Sequence, residues 1–460
     1  MEPARKPERR TARPKAPIPK TPGLAARRWA ADLVFDVTAN GRSLEGTFDG
    51  PGSKQVSNPA DIALTQSLVL STLRHLGTLD AALGNCLDRP LKPSQARAQA
   101  TLRVLATQLL ILDMPAHAAV TLAVEDVAQS PKTRALKGLV NAVGRRMARE
   151  GKALLPAEPA LEQPKWLAQR WAETYGKKTG DHVLASLRNQ PAIDLTPNPS
   201  IDREDLLKAL AEHGPTLLPT GSIRLANPGR ITELPGFKEG HWWVQDVAAA
   251  LPATILLESL EDPSGATVLD MCAAPGGKTA QLAATGADVT AVDRSQSRMG
   301  RLTDNLKRLG LQARTVIGDA RDVVPNRHFS AVLLDAPCSA TGTLRRHPDL
   351  AHVRRPDDIV ALANLQSELL EAAAKRTAPG GTLVYATCSM EPEEGEDQIS
   401  QFLAGHPNWA LESIDWSDLP ARARQADGTV RTLPHMAPAS PDIAGGMDGF
   451  FIAKLHHHVS

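Results

Sequence analysis

Ala98, Leu102, Leu105, Leu109 and Leu112 recur at spacings of four and three, as one buried face of a helix requires. Pro115 breaks this run. A second stripe follows at Val120, Val124 and Val127, and after Pro131 a third at Leu136, Val140, Val143 and Met147. Short loops between such helices predict a compact all-α bundle over residues 23–150. The polar, proline-bearing stretch Gly151–Gln163 predicts a linker. Trp166 and Trp171, at helical spacing, are packing residues, and short apolar runs among Pro, Asn and Gly predict a small α/β segment within residues 164–255. After Gly265 the period changes. Strands are predicted at Thr267–Met271, Asp288–Asp293, Arg314–Ile317, Ser330–Asp335 and Gly381–Thr387, with helices at Lys278–Ala284, Ser295–Leu309 and Asp358–Arg376. Repeated βα units make residues 256–460 a doubly wound, mostly parallel sheet domain whose ligands bind at the carboxyl ends of the strands.

Composition narrows the class. The 460 residues are 42% hydrophobic and 22% charged, and no apolar run approaches the roughly 20 residues that span a bilayer. A net charge of +1 hides an asymmetry: residues 1–150 hold 22 Lys and Arg against 13 Asp and Glu, while the rest hold 30 against 38. A basic front half suggests a polyanionic partner. Residues 1–22, with seven basic residues and six prolines, read as a disordered cationic tail, either a solvated leader or a weak attractor of phosphate. No apolar stretch follows it, as a secretory signal would need. The four cysteines (Cys86, Cys272, Cys338, Cys388) form no CxxC pair, which argues against a zinc site or a disulfide scaffold and for a reducing cytoplasm. His456–His458 read as an exposed tail rather than a metal tract.

The candidate chemistry sits at the strand ends. The first βα junction reads Asp270-Met271-Cys272-Ala273-Ala274-Pro275-Gly276-Gly277-Lys278-Thr279, where glycines let the backbone approach a ligand. It is neither a Walker A loop, which would need glycine at Cys272, nor a GxGxxG fingerprint. Asp293, Asp319 and Asp335 follow at successive strand ends. There they can accept hydrogen bonds from ribose hydroxyls or an adenine amino group, which suggests an adenosine-type cofactor. Cys338, in Asp335-Ala-Pro-Cys338, and Cys388, in Thr387-Cys-Ser389, lie in loops at the same edge. Either thiol alone reads as a small buried hydrophobe. Together with a carboxylate they suit pyrimidine chemistry, because a thiolate added to carbon-6 of cytosine makes carbon-5 nucleophilic.

These motifs, with Gln245-Asp246 and Asp448-Gly-Phe-Phe451, resemble the RNA cytosine-5 methyltransferases over residues 164–455. The front half resembles a NusB-type RNA-binding domain in Ala96-Arg97-Ala98, Gln108-Leu-Leu110 and Val140-Asn141. The resemblance implies an all-α NusB-like bundle, a small α/β segment and a Rossmann-like domain using S-adenosylmethionine (SAM). It implies an RNA substrate, small-subunit (16S) ribosomal RNA, and a single cytoplasmic chain with neither metal nor membrane partner. By the same resemblance Cys272–Lys278 wrap the methionine part of SAM, Asp293 holds the ribose, and Asp319 meets the adenine. Asp335 binds the cytosine near N3, Cys388 is the nucleophile, and Cys338 assists proton loss and product release. Arg97, Arg103, Arg345, Arg346 and His347 are the candidate RNA contacts. Thr196 stands where the family carries an arginine, which leaves that RNA contact without its charge. Two rivals are a tRNA target and a non-catalytic RNA-binding protein on a decayed enzyme fold. The latter predicts loss of Cys388, Asp335 or the cofactor loop, and all are present.

Overall fold

A computed structural model of the protein describes residues 21–48, 56, 58–156, 162–226, 228–323, 327–415, 418–436 and 445–459. The basic tail through residue 20 and residues 157–161 of the expected linker lie outside the described residues. The chain divides into two compact units, residues 1–156 and 157–460. Among the described residues no helix is long and apolar enough to cross a membrane.

The first unit is helical: α1 (Leu24–Asn40), α2 (Pro59–Arg74), α3 (Leu76–Cys86), α4 (Ala96–Ala106), α5 (Ala116–Ala128) and α6 (Lys137–Glu150). Asn58 caps α2 by accepting from the Ala60 amide, with Pro59 at the first helical position. The first stripe does not continue as one helix. A π-helical turn over Thr107–Ile111 inserts extra backbone after α4, so that Leu110 is buried while Leu109 and Leu112 are only half-buried. Two of the expected RNA contacts have internal partners. The Arg97 guanidinium lies 2.6 Å from Asp32 and 3.1 Å from Asp126, and Arg103 grips Asp80 with two bonds of 2.7 Å. Both are spent on internal ion pairs that join helices.

The second unit opens with α7 (Lys165–Tyr175) and α8 (Lys177–Ser186), and Trp171 is wholly buried in their core. A small antiparallel sheet follows, made of β1 (Ile193–Pro197), β2 (Pro215–Leu217), β3 (Ile223–Leu225) and β4 (Trp242–Val244), ordered β2-β3-β1-β4, with α9 (Arg203–Ala209) between its strands. After α10 (Val247–Glu258) comes the large sheet. Its parallel part is β5 (Thr267–Met271), β6 (Asp288–Asp293), β7 (Arg314–Ile317), β8 (Phe329–Asp335) and β9 (Thr377–Thr387), in the order β9-β8-β5-β6-β7. The crossovers are α11 (Gly277–Ala283), α12 (Gln296–Leu309), α13 (Ala320–Val323), and the pair α14 (Leu350–Val353) and α15 (Pro356–Ala374). After α16 (Glu396–Gly405), β10 (Trp409–Glu412), β11 (Val430–Arg431) and β12 (Phe451–His457) extend the sheet antiparallel beyond β9. Val268, Leu333 and Val384 pack on one face and Leu269, Leu334 and Leu383 on the other, so the central strands are covered on both sides. The terminal histidines are not an exposed tail. His456 and His457 belong to β12, and His457 stacks on Trp409 with ring centroids 4.6 Å apart.

A buried ion network ties the small sheet to the large one. Arg345 (2% exposed) and Arg346 both reach Asp246, at the start of α10, and Asp448, just before β12. Asp246 also accepts from the Ala248 and Asp448 amides, and Arg346 donates to the Ala192 carbonyl before β1. Arg345 and Arg346, expected as RNA contacts, are thus engaged by carboxylates and carbonyls inside the fold. The motifs Gln245-Asp246 and Asp448-Gly-Phe-Phe451 meet at this point. Asp270, fully buried in β5, takes one hydrogen bond from Thr279 (2.6 Å), and its other oxygen has no partner. Burial pushes its carboxyl up to about 7 against that hydrogen bond, and the negative charge of Asp335 adds to the rise.

Removing one partner from a buried pair strands the other. Asp246→Ala should therefore lower the stability of the second unit by about 3–5 kcal/mol in urea unfolding, and Asp246→Asn by less. Asp270 gives a pH signature. Its folded carboxyl holds a proton that the unfolded chain releases near pH ~4, so stability should fall as pH rises from there to about 7 and then level off. Asp270→Asn should remove that slope. Measured without added ligand, the melting-temperature gain of the variant should grow between those limits; a gain independent of pH would contradict the assignment.

Candidate active site

β8 and β9 pair in parallel up to Asp335 opposite Ala386, so the loops that follow leave the sheet side by side. The Ala336 amide still bonds the Ala386 carbonyl at 2.9 Å. Beyond it Cys338 Sγ and Cys388 Sγ lie 3.4 Å apart, Cys338 buried and Cys388 half-buried. Both are free thiols. The hydrogen bond to Cys388 and then burial raise the Cys338 thiol well above its usual range. Close backbone packing holds the two loops together. Gly342 donates to the Cys388 carbonyl (3.0 Å) and accepts from the Gly449 amide (2.9 Å). A Cβ on Gly342 would sit 1.9 Å from the Gly449 carbonyl oxygen, so only glycine fits.

Asp335 projects toward α11, where its carboxylate meets the Lys278 ammonium at 2.7 Å. Burial works against that ammonium, but Asp335 outweighs it and Cys388 adds to the effect, so Lys278 is held above its ordinary value. The Phe450 ring lies 5.3 Å from the same ammonium, which closes that side of the site. Carboxylate, ammonium and thiols thus come from β8, α11 and the two strand-end loops.

The glycine-rich loop is bent by its own backbone. Cys272 (φ 62°) and Gly276 (φ 103°) are both left-handed, and Ala273 bonds back to the Val292 carbonyl on β6 at 3.0 Å. A Cβ on Gly276 would strike Leu302 at 2.7 Å. One on Gly277 would touch the Gln245 side chain at 3.4 Å, so the neighbour that limits Gly277 is Gln245. Burial pushes the Cys272 thiol up to about 12, which leaves it protonated and inert as a nucleophile. Asp293, at the end of β6, accepts from the Ala274 amide (3.1 Å) and the Ser295 amide (2.9 Å), while Arg298 bonds the Ala274 carbonyl. Asp319 follows β7. The Arg321 guanidinium grips both its oxygens and holds its carboxyl down at about 2.

The structure therefore brings Lys278, Asp335, Cys338 and Cys388 together. It sets Asp293 and Asp319 at the neighbouring strand ends and keeps Arg345 and Arg346 in the ion network. His347 is exposed on the turn that follows. Gln245 carries no role in the sequence motif that contains it, and Glu394 stands outside every motif. Gln245 accepts from Trp243 (2.7 Å) and Thr196 (3.0 Å) and donates to Gln281 (2.7 Å), so it links the small sheet to α11. Glu394 is fully buried between the two cysteine loops, inside an acidic stretch (Glu391, Glu393, Glu394, Glu396) with no periodicity to single it out.

Comparison with known proteins agrees with this architecture. Residues 256–456 match the family of 16S rRNA methyltransferases RsmB/F, and residues 24–149 match the NusB family. Ribosomal RNA small subunit methyltransferase B of Vibrio vulnificus is 38% identical over 448 residues, which cover 94% of this chain and 99% of that protein. Among solved structures, PH0851 covers 96% of this chain and is itself covered in full, at TM-score 0.72 and 24% identity. NSun6 from Pyrococcus horikoshii, solved with SFG, covers 65% of this chain and is 99% covered, at TM-score 0.55 and 23% identity. At those identities the structures speak for the fold alone. The relative's identity over nearly all of both chains, with the two domain matches in the same order, shows that this chain belongs to the ribosomal RNA small subunit methyltransferase B family and is a methyltransferase.

Proposed function

We propose that the protein transfers a methyl group from SAM to carbon-5 of a cytosine in small-subunit ribosomal RNA, through a covalent bond between Cys388 and carbon-6. The observation that carries this reading is the thiol pair at 3.4 Å beside the Lys278–Asp335 ion pair. An enzyme needing one thiol has no use for two at the ends of adjacent strands. The family's printed name supplies the RNA class.

The residues present fit SAM. Asp270 offers a buried carboxylate oxygen without a partner, and the Gly276 turn keeps the backbone bare there. Asp293 would take the ribose hydroxyls. Asp319, though Arg321 already holds it, keeps lone pairs for an adenine amino group. NSun6 from Pyrococcus horikoshii, solved with SFG, a SAM analogue, is in keeping with a cofactor of this class. The cofactor supplies an electrophilic methyl group.

The chain's own groups would then act on the base. The target cytosine must leave any stack to reach the loops. Lys278, oriented by Asp335, donates to acceptor atoms on the base's polar edge and draws density from the ring, while Asp335 accepts from the exocyclic amino group beside N3, so that carbon-6 accepts the Cys388 thiolate. Carbon-5 becomes nucleophilic and takes the methyl group. Loss of the carbon-5 proton, assisted by Cys338, then expels Cys388 and restores the aromatic ring. With Arg97 and Arg103 internally paired, RNA contact by the first unit falls to exposed cations around α6 such as Lys132, Arg134, Lys137 and Arg145, with His347 a candidate on the second unit.

Bisulfite sequencing of small-subunit RNA from cells with and without the gene tests the reaction; it should show one methylcytosine that disappears with the gene. Asp293→Ala should weaken SAM binding while the fold survives, and calorimetry returning wild-type affinity would place the ribose elsewhere. The thiols should separate cleanly. Cys388→Ala should abolish methyl transfer and trap no RNA. Cys338→Ala should allow addition and transfer but stall elimination, leaving a protein–RNA complex that survives a denaturing gel. The opposite pattern would reverse the two roles.

A further inference from the structure

Each proposed thiol is followed by a serine, and both serines turn to the same buried carboxylate. Glu394 accepts from the Ser339 amide (2.8 Å) and hydroxyl (2.5 Å) and from the Ser389 hydroxyl (2.5 Å). A fourth donor, Gln366 on α15, reaches Glu394 at 3.0 Å and the Pro337 carbonyl at 2.9 Å. The Glu394 main chain is itself fixed to β9, because its carbonyl accepts from Tyr385 (2.9 Å) and Thr387 (3.1 Å). The carboxylate therefore stands on β9 and holds the loop after β8. Glu394 has no exposed surface and touches neither sulfur in the hydrogen-bond pattern.

A carboxylate of this kind is costly to bury, and it persists only where fixed donors satisfy it. Here every donor belongs to the loops that carry Cys338 and Cys388 or to the helix beside them. We infer that Glu394 is a positioning residue that sets the separation of the two thiols by clamping Ser339 and Ser389 to one point. The inference rests on the reading of Cys338 and Cys388 as partners in one reaction.

The geometry also says which substitution should be tolerated. One carboxylate oxygen receives the Ser339 amide and Gln366, which donate. The other receives two hydroxyls, which can rotate and accept instead. Glutamine can keep its carbonyl toward the first pair and turn its amide to the two serines. Glu394→Gln should therefore preserve the clamp, while Glu394→Ala and the double variant Ser339→Ala/Ser389→Ala should release it.

The test uses the full chain, SAM, and small-subunit RNA isolated from cells lacking the gene. Misplacing a reacting group by about 1 Å can cost roughly 100-fold in rate, and kcat of Glu394→Ala should fall on that order while RNA KM and SAM affinity hold. The covalent complex per turnover should rise, because Cys338 would be displaced from the adduct. Glu394→Gln should recover most of the rate. If Glu394→Ala only melts earlier, with wild-type kcat per folded molecule, the carboxylate is structural and the inference is overturned. A Glu394→Gln variant as slow as Glu394→Ala would overturn it too, since charge rather than geometry would be required. Should Glu394→Ala fail to fold, the double serine variant decides, and wild-type kcat there would overturn the clamp. Cys388→Ala is assayed in parallel. If it still methylates, the underlying reading fails; if it is dead while the clamp variants are unimpaired, the clamp alone fails.

Discussion

From Ala331 opposite Thr382 to Asp335 opposite Ala386, β8 and β9 run parallel and in register, and the site depends on where they stop. Neighbouring strands lie about 4.8 Å apart, so two loops leaving them at one level begin almost in contact. Bringing two sulfurs to 3.4 Å then needs only a small convergence. The Gly342–Gly449 contact supplies part of it, as does the left-handed turn at Ala340 (φ 59°) in the first loop. A left-handed residue other than glycine costs on the order of 1–2 kcal/mol, and such a cost is sustained where the surroundings over-determine it. Around Ala340 they do, because the loop is bonded to β9, to α15 and to the segment before β12.

Charge is distributed to the same end. The cations that sequence alone offers to RNA turn out to be structural in four instances, each matched to a buried or half-buried carboxylate. Buried pairs of this kind add little net stability relative to apolar packing, but breaking one is costly. They act here as register marks. Arg345 and Arg346 can satisfy Asp246 and Asp448 only when the small sheet, α10 and β12 are all in place, and Gln245 joins α11 to that arrangement through Gln281.

Much of this was legible in the sequence, and the remainder was hidden for physical reasons. The strand Asp288–Asp293 falls where its apolar run puts it, because all but its first residue are buried, and Arg314–Ile317, an edge strand, ends where Gly318 marks it. The π turn at Thr107–Ile111 was not visible, since spacings of three and four tolerate one inserted residue without an obvious break. The thiols and strand-end aspartates could be read because their chemistry is specific. The Arg pair could not, because an exposed and a buried arginine look alike until their partners, a hundred residues away in Asp246 and Asp448, are brought to them by the fold. His456 and His457 are hidden for a similar reason: pairing with β9 and β10 makes them part of a strand.

The central claim is that Cys388 bonds to carbon-6 and that loss of the carbon-5 proton releases it. Fluorine at carbon-5 cannot leave as that proton does, so RNA carrying 5-fluorocytidine should hold the enzyme after addition and methyl transfer. Mass spectrometry of the digested complex, formed with SAM and small-subunit RNA so substituted, locates the bond directly. The account predicts one methylated nucleotide attached to the peptide that contains Cys388. Attachment at Cys338, or no covalent complex at all, would contradict it.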